Sequence, residues 1–279
     1  MSTALRRHRL SNSAWAFVAF LLTSALTFAE LLWHGDPAKG RAVFDNLNFE
    51  GAERYSKGSG TILPATDPLH GAIWRVHKPA ADKRAEIRGA KGWSFHEGKG
   101  GVMQQGVTYY IGWRYKFTLS EITGKGWACF QWKSYPDPKN PASFTQNYPF
   151  TMGYNGRELS LTTHGENWPQ HRSTVVKVWS HPVPPGTWVD VVLAVKPSLD
   201  KKIGYVEIYF NGELQPLLTG GTRAYEKTMD GLEVAPKWGV YNSSSVGTDI
   251  IVELADLRIG TDLASVQPKR LAKPSTLFP

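Results

Sequence analysis

Three short segments hold side chains that could act on a substrate together. In APKWGVYNSSS (235–245), Lys237 and Tyr241 stand four residues apart with Gly239 midway. Side chains on a strand alternate between faces, so Lys237, Gly239 and Tyr241 share one face and Trp238 and Val240 the other. RAEIR (84–88) divides the same way, with Arg84, Glu86 and Arg88 against Ala85 and Ile87. So does CFQWKSY (129–135), where Gln131 and Lys133 oppose Phe130 and Trp132. Each segment packs apolar residues on one side and shows amide or ionisable groups on the other.

A solvated sheet face with a row of ion pairs accounts for any one of these segments alone. Together they offer arginines, a glutamine, lysines and a tyrosine, a set suited to binding carboxylates. Arginine presents a fork, glutamine donates from its amide, and Glu86 between Arg84 and Arg88 holds their forks in place. β-Elimination on a uronic acid would use these groups. Its C5 proton becomes removable once the adjacent carboxylate is neutralised; a base then takes the proton and an acid protonates the departing O4. Cations and amides perform the first task, and a tyrosine either or both of the others. A free phenol titrates at about 10; a nearby cation favours its charged form, and Lys237 is on the same face. Gly239 leaves bare backbone for a flat sugar ring to approach.

Other chemistries lack their residues. Hydrolysis of a glycosidic bond needs two carboxylates at a set separation; the nearest pair, Glu253 and Asp256, is three apart in a strand and so faces opposite ways. There is no GxSxG elbow and no Cys/His cluster for zinc, the single cysteine being Cys129 in a strand-like run, where it reads as a small buried hydrophobe.

The elements that must carry these groups are strands. TYYIGWRYKFTL (108–119), ELSLTT (158–163), WVDVVLAVK (188–196) and TDIIVELADLRI (248–259) all read as strands, and Asn211-Gly212 between apolar runs marks a hairpin. Long helical periodicity is absent, so the fold class is all-β, a sandwich or jelly roll. Residues 30–60 read as a polar, Gly-rich lead-in, and the tail from Gln267 as loose. One domain fills residues 30–279. Residues 1–29 read as an export signal: Arg6, Arg7 and Arg9, an apolar run from Ala14 to Phe28, then small residues at Thr27 and Ala29. That run falls short of the roughly 20 residues of a spanning helix, although an uncleaved anchor is the competing interpretation. Removing residues 1–29, with three arginines and no acid, lowers the net charge from +8 to +5. A basic exported protein suits an acidic polysaccharide, and base–aromatic readout of nucleic acid is not expected.

In this order, RAEIR, FQWK and KWGVYN resemble the three strand motifs of jelly-roll polysaccharide lyases, closest in form to the heparin lyase I and glucuronan lyase group and next to the alginate lyases. The resemblance spans residues 40 to 262. It implies a concanavalin A-like jelly roll of two antiparallel sheets that cleaves a uronate polymer by β-elimination without a required cofactor; with the export signal, a secreted or periplasmic monomer is expected. It leaves a structural calcium unassigned and the polymer unnamed. Carried over residue by residue, it makes Tyr241 the catalytic base, acid or both. Gln131 becomes a carboxylate-neutralising residue, and Arg84, Glu86, Arg88 and Lys237 line the substrate. One position departs: Lys133 stands where the family pattern usually has histidine, so either Tyr241 serves as both base and acid or another histidine substitutes. His164, in LTTHGEN, is that candidate, against its interpretation as an exposed loop histidine. A non-catalytic binding module for acidic polysaccharide is the alternative function.

Overall fold

The computed structural model describes residues 29–53, 56–93, 103–122, 126–135, 139, 147–165, 174–231, 233–241 and 247–268. All of the expected export signal but Ala29, and the tail beyond residue 268, lie outside the described residues. In chain order the strands are β1 (Leu31–His34), β2 (Phe44–Glu50), β3 (Thr61–Asp67), β4 (Gly71–Lys78), β5 (Arg84–Ala90), β6 (Tyr109–Leu119), β7 (Trp127–Tyr135), β8 (Phe150–Tyr154), β9 (Glu158–His164), β10 (Val175–Pro182), β11 (Val189–Lys196), β12 (Tyr205–Phe210), β13 (Glu213–Leu214), β14 (Ala224–Tyr225), β15 (Glu233–Tyr241) and β16 (Ile250–Gly260). Helix among the described residues is confined to a 3-10 segment, Pro37–Val43, and one turn, Leu263–Val266.

The strands form two antiparallel sheets, a jelly roll. One runs β13-β12-β11-β6-β16-β4-β3, with β1 added on β16 and β14 on β12; the other runs β10-β9-β8-β7-β15-β5-β2. Apolar faces meet between them, as the alternation in each strand requires. At the centre Trp113 of β6 stacks on Phe130 of β7 at 4.9 Å between ring centroids, and Trp238 of β15 stands edge-on to both. Trp33 of β1 lies parallel to Trp238 at 5.9 Å. These rings clamp the backs of β7 and β15, so the opposite faces of the same strands are held rigidly outward.

The Asn211-Gly212 hairpin forms as expected, both residues taking positive φ (50° and 87°), the twist that a two-residue turn needs. Two expectations fail. Residues 30–60 are more than a lead-in: they supply β1 and β2, and bury Trp33 and Phe44 in the core. Nor do Glu253 and Asp256 face apart. Asp256 sits in a bulge of β16 at φ 52°, which upsets the alternation. Glu253 then pairs with Lys116, and Asp256 lies 3.9 Å from Arg114, two residues away on β6. Both carboxylates are taken up in ion pairs on the outer side of the larger sheet, away from β7 and β15.

Candidate active site

Pairing registers on the seven-stranded sheet align side chains into rows across the strands. One row reads Arg88, Lys237, Gln131, Thr151, Thr162, Lys177; another reads Arg84, Tyr241, Ala128, Gly153, Ser160, Ser180, with Glu86 and Gly239 between the two on β5 and β15. The end of each row on β5 and β15 is crowded with long polar side chains. From β7 to β9 the rows shrink to Ala, Gly, Ser and Thr, and a cavity of about 510 Å³ opens over that floor. Gln131, Tyr241, His164 and Tyr148 are in its walls.

A bulge makes this floor possible. Strict alternation would put Cys129 beside Gln131 on the site face, but β7 slips register between Ala128 and Phe130. Cys129 turns inward, its thiol donating to the Met152 carbonyl, while Ala128 takes the place in the row. Burial pushes the Cys129 thiol up to about 12, so the group is inert. Gly239 has a different task from the one expected of it. Its φ is 133°, and a Cβ there would stand 2.3 Å from the Ala85 carbonyl oxygen and 3.0 Å from the Glu86 Cα. The glycine lets β5 approach β15; space for a ligand comes instead from Ala128, Gly153 and Ser160.

The charged end of the rows is a brace. Lys237 is 3% exposed; its Nζ donates to Glu86 Oε2 at 2.9 Å and to Gln131 Oε1 at 3.5 Å. Burial pulls the Lys237 amine below its usual value, against the attraction of Glu86. Arg84 reaches Glu86 at 3.4 Å and Glu50 of β2 at 3.2 Å, and its guanidinium lies 4.0 Å over the Tyr241 ring. Burial opposes the charge on Arg84, but Glu86, Tyr241 and Glu50 together hold it above the ordinary guanidinium value. Arg88 donates to the Tyr135 hydroxyl at 2.9 Å. The cation beside Tyr241 is therefore Arg84, its register partner on β5, and not Lys237, whose charge Glu86 neutralises. Lys237, Glu86, Arg84, Arg88 and Lys133 are absent from the cavity walls, so of the expected site residues Gln131, Tyr241 and His164 line it. Because Gln131 accepts from Lys237 through its oxygen, its amide nitrogen is the end left to donate into the cavity.

Lys133 donates to Asn147 Oδ1 and lies between the Tyr135 and Tyr148 rings, 5.1 and 5.0 Å from their centroids. Burial, reinforced by Lys237, Arg88 and Arg84, brings its amine down to about 7. Tyr148 is pushed up to about 12, chiefly by burial, and stays a neutral phenol. His164 is no exposed loop residue: it ends β9, half-buried, its Nε2 3.0 Å from Thr151 Oγ1. Burial lowers its pKa, which favours neutral imidazole. Neighbouring strands lie about 4.8 Å apart. Tyr241 pairs with Ala128, three residues from Gln131 on β7, and both Tyr241 and Gln131 line the cavity, whereas His164 stands three strands from Tyr241.

Tyr148, Asn147, Thr151 and Glu50 carry no signal that sequence reasoning used. Asn147 and Tyr148 precede β8 outside any alternating run, and the hydroxyl of Thr151 matters only through its register with Gln131. Among the described residues, no group of three or more His, Cys, Asp or Glu is placed to hold a metal ion, and no helix is long and apolar enough to cross a membrane.

Residues 61–252 match the family model described as polysaccharide lyase. No curated protein matches the chain in sequence. Among solved structures, the endo-β-1,4-glucuronan lyase of the fungus Trichoderma reesei is similar with a TM-score of 0.60 at 15% identity, over 87% of this chain and 100% of that one. Alginate lyase A1-II', of polysaccharide lyase family 7, gives a TM-score of 0.51 at 12% identity, over 82% of this chain and 100% of that one. At these identities the likeness is one of fold.

Proposed function

Because the chain belongs to the polysaccharide lyase family, we propose that it cleaves a uronate-containing polysaccharide by β-elimination, leaving a 4,5-unsaturated uronate on the new end. The observation that carries this is that Gln131 and Tyr241 both line a cavity with a cleared floor, with Arg84 over the Tyr241 ring. The Gln131 amide donates to the uronate carboxylate and favours the charge that develops there as C5 loses its proton. Tyr241, beneath the Arg84 guanidinium, takes the C5 proton on its phenolic oxygen. The electron pair of that C–H bond forms the C4–C5 double bond, the C4–O4 bond breaks, and the phenol returns its proton to O4. The Lys237–Glu86–Arg84 brace fixes Gln131 and Tyr241 in place. A second assignment gives a share of the proton transfer to Lys133, whose amine lies behind the cavity against the ring of Tyr148, a wall residue, and titrates near 7.

The basic, apolar start of the sequence supports export, to the periplasm or the medium, where such polymers are met. The test is absorbance gain in the near ultraviolet on a panel of polyuronates, glucuronan and alginate first. Tyr241→Phe keeps the ring beneath Arg84 and removes the hydroxyl; kcat should fall about 10²-fold or more with little change in KM. Retention on polyuronate without any absorbance gain would instead favour the non-catalytic binding module.

A further inference from the structure

The cavity does not end at the groups used above. Its far wall holds Glu158 of β9 and Lys177 of β10, with Nζ 2.8 Å from Oε1. Lys177 stands in the same row as Gln131, three strand spacings away, roughly 14 Å. That is room for more than one sugar ring. Between the two ends the row offers the hydroxyls of Thr151 and Thr162, with Ser160 in the adjoining row, all in the cavity walls. Lys177 and Glu158 retain side-chain exposures of 52% and 34%, so a ligand can reach both.

We propose that the Glu158–Lys177 pair is a charge-balanced subsite that selects an unsulfated sugar in the polyuronate, so that the enzyme works on polymers whose sugars carry free hydroxyls. The inference rests on the lyase function above and adds the class of substrate. A sugar hydroxyl can accept from the ammonium of Lys177 and donate to the carboxylate of Glu158, satisfying both without separating them. A sulfate ester has no proton to donate. It would meet the Glu158 carboxylate at close range, and could bind Lys177 only by displacing that partner. The Lys177 hydrogen bond also holds the Glu158 carboxyl below the usual carboxylate range, which keeps it ionised at neutral pH. Among the described residues in the cavity walls, Lys177 is the one lysine and there is no arginine. A polymer with several sulfates per repeat would find hydroxyls along most of this floor.

The experiment compares glucuronan with O-sulfated glucuronan of the same chain length, using wild type, Glu158→Gln and Lys177→Met at low salt. The readout is the ratio of kcat/KM for the two polymers, which a general loss of folding or activity does not move. Wild type should prefer the unsulfated chain. Glu158→Gln frees the ammonium and should narrow the preference by about threefold or more; Lys177→Met leaves the carboxylate alone and should widen it. That scale is the upper part of what an exposed charge pair contributes, and it should shrink at 0.15 M salt. Ratios that stay fixed in both variants, or move the opposite way, overturn the subsite. If no polymer yields an unsaturated product, the lyase function fails by itself. The same ratio is then read as retention of the three proteins in gels containing each polymer, where an unchanged ratio again overturns the subsite.

Discussion

Gly239 and Gly153 lie on neighbouring parts of one sheet face, yet alanine should act on them in opposite ways. At Gly239 a methyl group must be carried at φ 133° and would stand 2.3 Å from a backbone oxygen of β5. The backbone conformation costs about 1–3 kcal/mol for a residue other than glycine. Moving β5 to relieve the overlap costs about as much again. A loss of about 3–5 kcal/mol is expected, a large part of the roughly 5–15 kcal/mol that holds a typical domain folded. At Gly153 the nearest atoms to a new Cβ are Ser160 Oγ and the Trp127 carbonyl oxygen, both at 3.5 Å, an ordinary contact. Gly153→Ala should keep or slightly raise stability, by up to about 0.5–1 kcal/mol, while its methyl group fills the cavity floor and raises KM. Urea unfolding followed by tryptophan fluorescence gives the first quantity, and initial rates on the best polyuronate give the second. A Gly239→Ala protein that unfolds at the wild-type midpoint would refute the close approach of β5 and β15. A Gly153→Ala protein with unaltered KM would refute the placement of substrate on the Ala128–Gly153–Ser160 floor.

Further outcomes follow from the brace behind the cavity. Glu86→Gln leaves the buried Lys237 ammonium without its counter-charge and should cost about 3–5 kcal/mol; adding Lys237→Met to that variant should restore most of the loss, as urea midpoints of the three proteins will tell. Lys133 titrates at about 7 in the folded protein against 10.5 unfolded. The folded state therefore binds fewer protons between about pH 7 and 10.5 and gains stability as pH rises through that window. Lys133→Met should exceed wild type in stability at pH 6, by an amount that shrinks towards pH 10. If the neutral amine also shares the proton transfer, kcat of wild type should climb through about pH 7 and Lys133→Met should lose that rise.

The strands of the site were legible because their alternation is enforced by burial. Trp238, Phe130, Trp132 and Ile87 can face only the core, so Lys237, Gln131, Arg84, Glu86 and Arg88 must face away. What the pattern could not convey was where it breaks. The bulges at Cys129 and Asp256 each shift a strand by one residue, and a period of two holds no sign of such a slip until the neighbouring strand is known. The task of Gly239 was obscure for a related reason: a missing side chain looks alike in sequence whether a ligand or another backbone takes its space. Depth was the other silent quantity. Lys237 and Tyr241 share a face, yet one is sealed beneath Glu86 and the other opens to the cavity, a difference made by Arg84 and Glu50 on strands far away in sequence. Residues 30–60 misled because polar composition suits an edge strand such as β2 as well as a loop.

The pairing of β1 with β16 also orders events in time. Leu31 lies opposite Gly260, and Glu30 and Thr261 exchange hydrogen bonds beside them, so segments some 230 residues apart in synthesis are neighbours in the sheet. Trp33 on that first strand presses on Trp238, whose strand carries Tyr241. The groups around the cavity are likewise drawn from strands near residues 84, 131, 164 and 241. A nascent chain stopped before β15 is made has neither Tyr241 nor the tryptophan that Trp33 packs on, and one stopped before β16 cannot seat β1. So high a contact order makes folding slow. Activity should then arise in a single late step once both β15 and β16 are made, with no competent fragment on the way.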